Sequence, residues 1–394
     1  MVEQQETQIH RKMLLLGFLF FFTYSLTVYY INWVLVPQGV VTPAILTARD
    51  TLLQIGILIS AVAIIIPSID FKKAEEQVIL YAFSAGAIVL TLGIYLGSIK
   101  SDVAIYVFYN SAAVVLILLI SMLFGFLGFR GRRIVSTEVD RIAMAIMALI
   151  LIINISIVMW SFSITSSGRS IAANFIILRD HSTRYAVWMV LTVFLMRFSN
   201  MSIRLNRLIV RGLIAVTIVW TLSFGLYTLD VPSQIGAGVM DGALGILIVT
   251  VLISQLKILR KQMNPHFALG TLALIWFTIA GSVALYMITL FSANQQSVPA
   301  LWRLFHLMNA NYSLLAGLGA LALISVKYSK RLGWIVTFLF VAELINKVST
   351  YLINVMDQKA ATTLLQLGDP FFIAATLIII YILFKETPKT NISV

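Results

Sequence analysis

Residues 103–129 read VAIYVFYNSAAVVLILLISMLFGFLGF, with no charged side chain anywhere in the stretch. Arg130, Arg132 and Arg133 follow at once. A helix that crosses a bilayer needs roughly 20 mostly apolar residues. This stretch therefore reads as a membrane span whose end is held at one face by cations. Working outward, eleven further stretches have the same character: 13–36, 51–69, 78–97, 142–164, 180–198, 208–229, 235–256, 267–292, 304–326, 334–355 and 366–384. The composition agrees. Of 394 residues, 60% are hydrophobic and 11% charged, and the mean hydropathy is +0.97. A soluble domain carries about 25% charged residues. An ordinary soluble enzyme, a nucleic-acid-binding domain and a disordered protein are thereby excluded, and nucleic acid is not an expected partner. The expectation is an all-α, polytopic membrane bundle of twelve helices, with 1–394 forming a single integral membrane domain in the lipid bilayer. The first stretch is too long for a signal-peptide core and reads as a retained helix.

Basic residues divide unevenly between the two sides of such a bundle. Nineteen of the 28 Lys and Arg fall on the N-terminus, the even-to-odd loops and the C-terminus. Seven fall on the opposite loops: Arg49, Lys100, Arg169, Arg179, Arg184, Arg303 and Lys359. Arg211 and Lys347 lie within spans. Cytoplasmic loops carry the excess of basic residues, so both termini are expected in the cytoplasm and the protein in the plasma membrane. Tyr29, Tyr30, Trp33, Trp160 and Trp302 fall near outer ends and Trp334 near an inner end, as an aromatic belt requires. Pro370, after Asp369, reads as a first-turn proline at the start of the twelfth span. The chain has no cysteine, which excludes disulfides and thiolate metal sites.

Ionisable groups inside hydrocarbon are costly and face a cavity or a partner. Glu343 and Lys347 stand at i,i+4 in the eleventh span, on one helix face and in the favourable acid-first order. They read either as a self-neutralising structural pair or as a proton or substrate site. Asp241 lies between Gly238 and Gly242, a spacing that lets helices approach closely. Four histidines are present: His10 and His266 at the cytoplasmic side, His181 and His306 at the outer starts of the sixth and tenth spans. No phosphate-binding loop, nucleotide fingerprint, HExxH or GxSxG occurs, and no catalytic residues are assigned.

Spans two, six and ten each open with a polar cluster. These are Arg49-Asp50-Thr51 with Gln54, then Arg179-Asp180-His181 with Tyr185, then Arg303 and His306 followed by Asn309-Ala310-Asn311-Tyr312. The arginines are 130 and 124 residues apart, a repeat of four helices. In helix count and in these polar ends the chain resembles the large catalytic subunit of haem-copper oxidases. That fold has three arcs of four helices, with metal-binding histidines on spans two, six, seven and ten. His181 and Tyr185 keep the His and Tyr of the family's His-Pro-Glu-Val-Tyr motif. Asn309 and Asn311 stand where the family's His-Phe-His-Tyr motif has histidines, and span two has no haem histidine. Axial haem ligation needs imidazole or a comparably strong donor. The resemblance therefore implies a non-catalytic or low-metal subunit working with respiratory membrane proteins. It further implies one haem or metal at His181 and His306, and a polar cavity lined by Gln54, Asp180, Tyr185, Asn309, Asn311 and Tyr312. Two other classes stay open: a secondary transporter using Asp241, Glu343 and Lys347, and a structural or assembly subunit of another membrane complex.

Overall fold

The computed structural model describes residues 2–65, 73–127, 138–167, 263–292, 300–354 and 358–385, with isolated residues and short pieces between 187 and 261. The described residues are helical almost throughout. Helix α1 (Val2–Tyr30) continues through a π-helical turn (Ile31–Leu35) into a last turn α2 (Val36–Gln38). Then come α3 (Pro43–Ile65), α4 (Lys73–Ser98), α5 (Ala104–Leu127) and α6 (Glu138–Ser166). After the sparsely described middle follow α7 (Pro265–Ser292), α8 (Ala300–Ser325), α9 (Lys330–Asn354) and α10 (Gln358–Lys385).

Seven stretches among the described residues are long and apolar enough to cross a membrane: Arg11–Gln38, Gln77–Gly97, Ala104–Gly125, Met144–Thr165, Pro265–Val283, Lys330–Ile353 and Gln366–Lys385. They coincide with the first, third, fourth, fifth, ninth, eleventh and twelfth expected spans. The second and tenth expected spans correspond to α3 and α8. The sixth, seventh and eighth lie almost wholly outside the described residues. This is a polytopic, all-helical membrane protein.

The described residues divide into two compact units, one drawn from 1–136, 166–168 and 322–393, the other from 137–165 and 169–321. In the first unit α9 packs on α10, α10 on α1, α1 on α3, α3 on α4 and α4 on α5. The ends of the chain thus meet in one bundle. Small residues let the backbones approach, as helix packing in lipid requires. A Cβ built on Gly17 would lie 3.1 Å from the Gly56 carbonyl, and one on Gly56 equally close to the Gly17 carbonyl. At Gly93 a Cβ would lie 2.7 Å from the Phe108 backbone, so only glycine permits the α4–α5 contact.

With no water in the bilayer core, every polar group needs an internal partner. Several hydroxyls find theirs one turn back: Ser25 donates to Phe21 O, Ser84 to Leu80 O, Thr271 to Phe267 O and Thr376 to Phe372 O. Helix ends close on their own carbonyls. After α4, Ser101 N donates to Leu96 O and Lys100 N to Gly97 O, with Lys100 left-handed at φ 58°. After α2, Val40 N donates to Leu35 O and Gly39 N to Val36 O, with Gly39 at φ 69°. Both are six-to-one capping turns; the first has a lysine where glycine is usual.

One expectation is corrected. Pro370 is not a first-turn residue, because α10 begins at Gln358 and carries Pro370 in its interior. An interior proline cannot donate to the carbonyl four residues back, here Gln366 O. The Trp33 indole, reaching from the π turn, donates to that oxygen at 3.2 Å. The break is therefore repaired by a neighbouring helix, a means by which membrane helices tolerate proline.

Candidate functional site

Helix α9 is apolar towards the outside and polar towards the inside. Phe338, Ile345 and Leu352, seven residues apart, are 60–64% exposed. The opposite stripe, Val336, Phe340, Glu343, Lys347 and Thr350, follows a four-three spacing and is buried. That spacing keeps one face against neighbouring helices. Phe340 meets Phe372 of α10 edge to face, with ring centroids 5.9 Å apart. The next turns of the same stripe carry the charges. Lys347 Nζ lies 2.9 Å from Glu343 Oε1, and the two side chains are 2% and 0% exposed.

A third ionisable group comes from α10. Asp369 is 3% exposed and follows Gly368, whose Cβ position lies against Glu343 Oε2. Its carboxylate Oδ2 accepts a 2.9 Å hydrogen bond from Asn32 Nδ2, within the π turn of the first span. The Asn32 carbonyl in turn accepts from Gln366 Nε2 at 2.7 Å. Asn346, on α9 between Glu343 and Lys347, donates from Nδ2 to Leu364 O of α10 at 2.6 Å. Gly368 provides the space: a Cβ there would lie 2.6 Å from Glu343 Oε2 and would overlap Asn346 Oδ1. Three helices thus converge, two of them at irregular turns. Within membrane helices, π turns and proline breaks leave backbone groups open to side-chain partners. The α1 π turn and the α10 proline face one another and exchange three hydrogen bonds.

Glu343 and Lys347 are therefore together, but the acid beside them is Asp369, from the last span. Asp241, the acid expected to join them, lies outside the described residues. So do Asp180, His181 and Tyr185. His306 is on α8, its side chain likewise outside the described set. Gln54 is half-buried on α3. In the second unit Asn309, Asn311 and Tyr312 are all buried on α8. Tyr312 stacks on Trp276 of α7 with centroids 5.7 Å apart. Next to them Ser313 Oγ accepts from Trp188 Nε1 at 3.0 Å. Among the described residues no group of three or more His, Asp or Glu side chains is arranged to hold a metal ion.

Asp369, Asn346, Asn32 and Gln366 were not singled out from sequence. Read locally, Asp369 looks like part of a helix start because Pro370 follows it. Its signal is the placement of an acid three residues inside an apolar run, at a proline. No protein-family model matches the chain, and no curated protein sequence matches it.

Proposed function

We propose that this protein is a secondary transporter and that the Glu343–Lys347–Asp369 cluster is its coupling site. The carrying observation is the burial of three ionisable groups from two candidate membrane spans, bonded to a third. Charges in a span mark substrate or ion pathways by default. A purely structural pair on one helix needs no third charge from another. The surrounding breaks supply two elements able to change conformation together.

The topology supports the same reading. Asn32 is near the end of the Arg11–Gln38 span and Asp369 near the start of Gln366–Lys385, yet they are hydrogen-bonded. The two spans therefore run antiparallel, which puts the start of the first and the end of the last on one side. An even number of spans follows, as the expectation of twelve requires, and we assign that side as cytoplasmic from the basic-residue bias.

The test is flux. Protein reconstituted into liposomes on a sensor surface is challenged with jumps of organic anions, cations, amino acids and sugars while charge movement is recorded. Transport predicts transient currents for one solute class, lost when Glu343→Leu and Lys347→Met are combined in a folded variant. Absence of current for every class, or currents that persist in that variant, refutes the reading. The haem-copper resemblance leads to a second reading, a metal-poor subunit of a respiratory complex with haem at His181 and His306. Its support is the burial of Asn309, Asn311 and Tyr312 on α8. Haem bands in the absorption spectrum of the purified protein are its test.

A further inference from the structure

We infer that Asn346 and Thr350 form a subsite that takes N–H or O–H groups of the transported solute, reached from the end of the bundle away from the basic residues. The inference deepens the transporter reading and rests on it for the solute being cargo. Asn346 and Thr350 are 9% and 8% exposed on the buried face of α9, one turn apart, about 6 Å along the axis. Asn346 Oδ1 and Thr350 Oγ1 have no hydrogen-bond partner among the described residues. Buried polar groups are nearly always paired, and in a membrane no bulk water can stand in.

Each open group has a local cause. Thr337, on the same helix, donates to Gly333 O one turn back at 3.0 Å. The matching carbonyl for Thr350 is that of Asn346, and the Thr350 hydroxyl does not use it. The Asn346 amide is fixed by its other half. Leu364 O can only accept, so the Asn346 NH2 faces it, at 2.6 Å. Oδ1 is thereby turned towards Gly368, where a Cβ would overlap it and lie 2.6 Å from Glu343 Oε2. An amide oxygen and a carboxylate oxygen thus converge over a residue with no side chain. Acceptors so placed call for a donor, and repel a solute that has only acceptors.

The approach has one open end. Arg11, Lys12, Lys330, Arg331 and Lys385 stand at one end of α1, α9 and α10. Between that end and the ion pair the α9–α10 contact is apolar: Phe340 meets Phe372, and Val336, Ala375 and Ile379 are fully buried. The hydroxyls there, Thr337 and Thr376, are bonded within their own helices. Beyond the pair the open groups follow. A solute from the far end meets Thr350, then Asn346, then Glu343, and is stopped at the Phe340–Phe372 rings. Its class is a small molecule with amino or hydroxyl groups; organic anions without such donors are not taken.

Thr350→Val, which keeps the shape and deletes the hydroxyl, tests this in the full chain in liposomes. A hydroxyl whose partner is the solute adds nothing to the empty fold. The empty variant should therefore be as stable as wild type. The concentration giving half-maximal current, for the solute class that produces currents, should rise about 3- to 10-fold, as loss of one hydrogen bond gives. Maximal current should be kept, and Thr350→Ser should restore wild-type behaviour. A Thr350→Val chain less stable than wild type, or one that fails to fold, makes the hydroxyl structural and overturns the proposal. Thr350→Cys, in a chain with no other cysteine, should react with a small charged methanethiosulfonate from the side opposite to a cysteine at Gly131. Reaction from the Gly131 side, or from neither, overturns the entry. Currents with unchanged half-saturation in Thr350→Val would refute the subsite and leave transport standing. Labelling from the far side with no current for any solute would refute transport, and the cargo with it.

Discussion

Removing Lys347 alone should do more damage than removing it together with Glu343. The two groups are 2.9 Å apart with side chains 2% and 0% exposed, so neither can turn to water. Lys347→Met keeps the stem and its packing and deletes only the charge. It leaves the Glu343 carboxylate buried without its cation. Breaking a buried pair by removing one partner costs about 3–5 kcal/mol, comparable to or above the roughly 2.5–3.5 kcal/mol that insertion scales assign to one charge at mid-membrane. The double change Glu343→Leu, Lys347→Met removes both charges and keeps the volume. Replacement of a buried ion pair by apolar residues is often neutral or stabilising, so stability should return to within about 1 kcal/mol of wild type on the same accounting. The chain has no cysteine, which makes the assay direct. A single cysteine introduced at a buried site such as Ala375 reports unfolding by its reaction with a thiol dye as denaturing detergent is raised. A single variant within about 1 kcal/mol of wild type, or a double variant as unstable as the single, would contradict the view that the pair is mutually compensating.

Other expected outcomes follow from the same geometry. Gly368→Ala pushes a methyl against Glu343 Oε2 and Asn346 Oδ1; it should cost about 1–3 kcal/mol, as overpacking does, in the same unfolding assay. Asn32→Leu takes away the donor to Asp369 and should cost about 1–3 kcal/mol, the penalty of a buried group left unsatisfied. Asn32→Ser, too short to reach, should behave alike. For topology, Gly131→Cys, in the basic run after residue 129, should label only after the membrane is permeabilised.

Much of the fold was legible because a span is a property of local composition. The run at 103–129 contains α5, and the acid-first spacing of Glu343 and Lys347 matches the ion pair. The rest of the site was not legible, for physical reasons. Asp369 belongs with Lys347 only because α10 packs on α9, and nothing local to either segment encodes that register. Pro370 carried a misleading local signal. Proline ends a helix unless a neighbour satisfies the stranded carbonyl, and the neighbour, Trp33, is more than 300 positions away in sequence. Read from sequence alone, Trp33 belongs to the aromatic belt, and its exposed ring fits that role. Its N–H does a second task that no window of sequence displays. Asn32 was hidden likewise, since a lone amide near a span end is unremarkable until a carboxylate is placed opposite it.

The central claim is that the buried cluster couples ion movement to transport, and the most direct measurement compares charge movement in wild type with that in Asp369→Asn. Both are reconstituted at equal density, shown to be folded, and challenged with the same solute jumps across the same liposomes. The account requires a solute-dependent current in wild type and its loss in Asp369→Asn. A folded Asp369→Asn variant that moves charge as wild type does would contradict it.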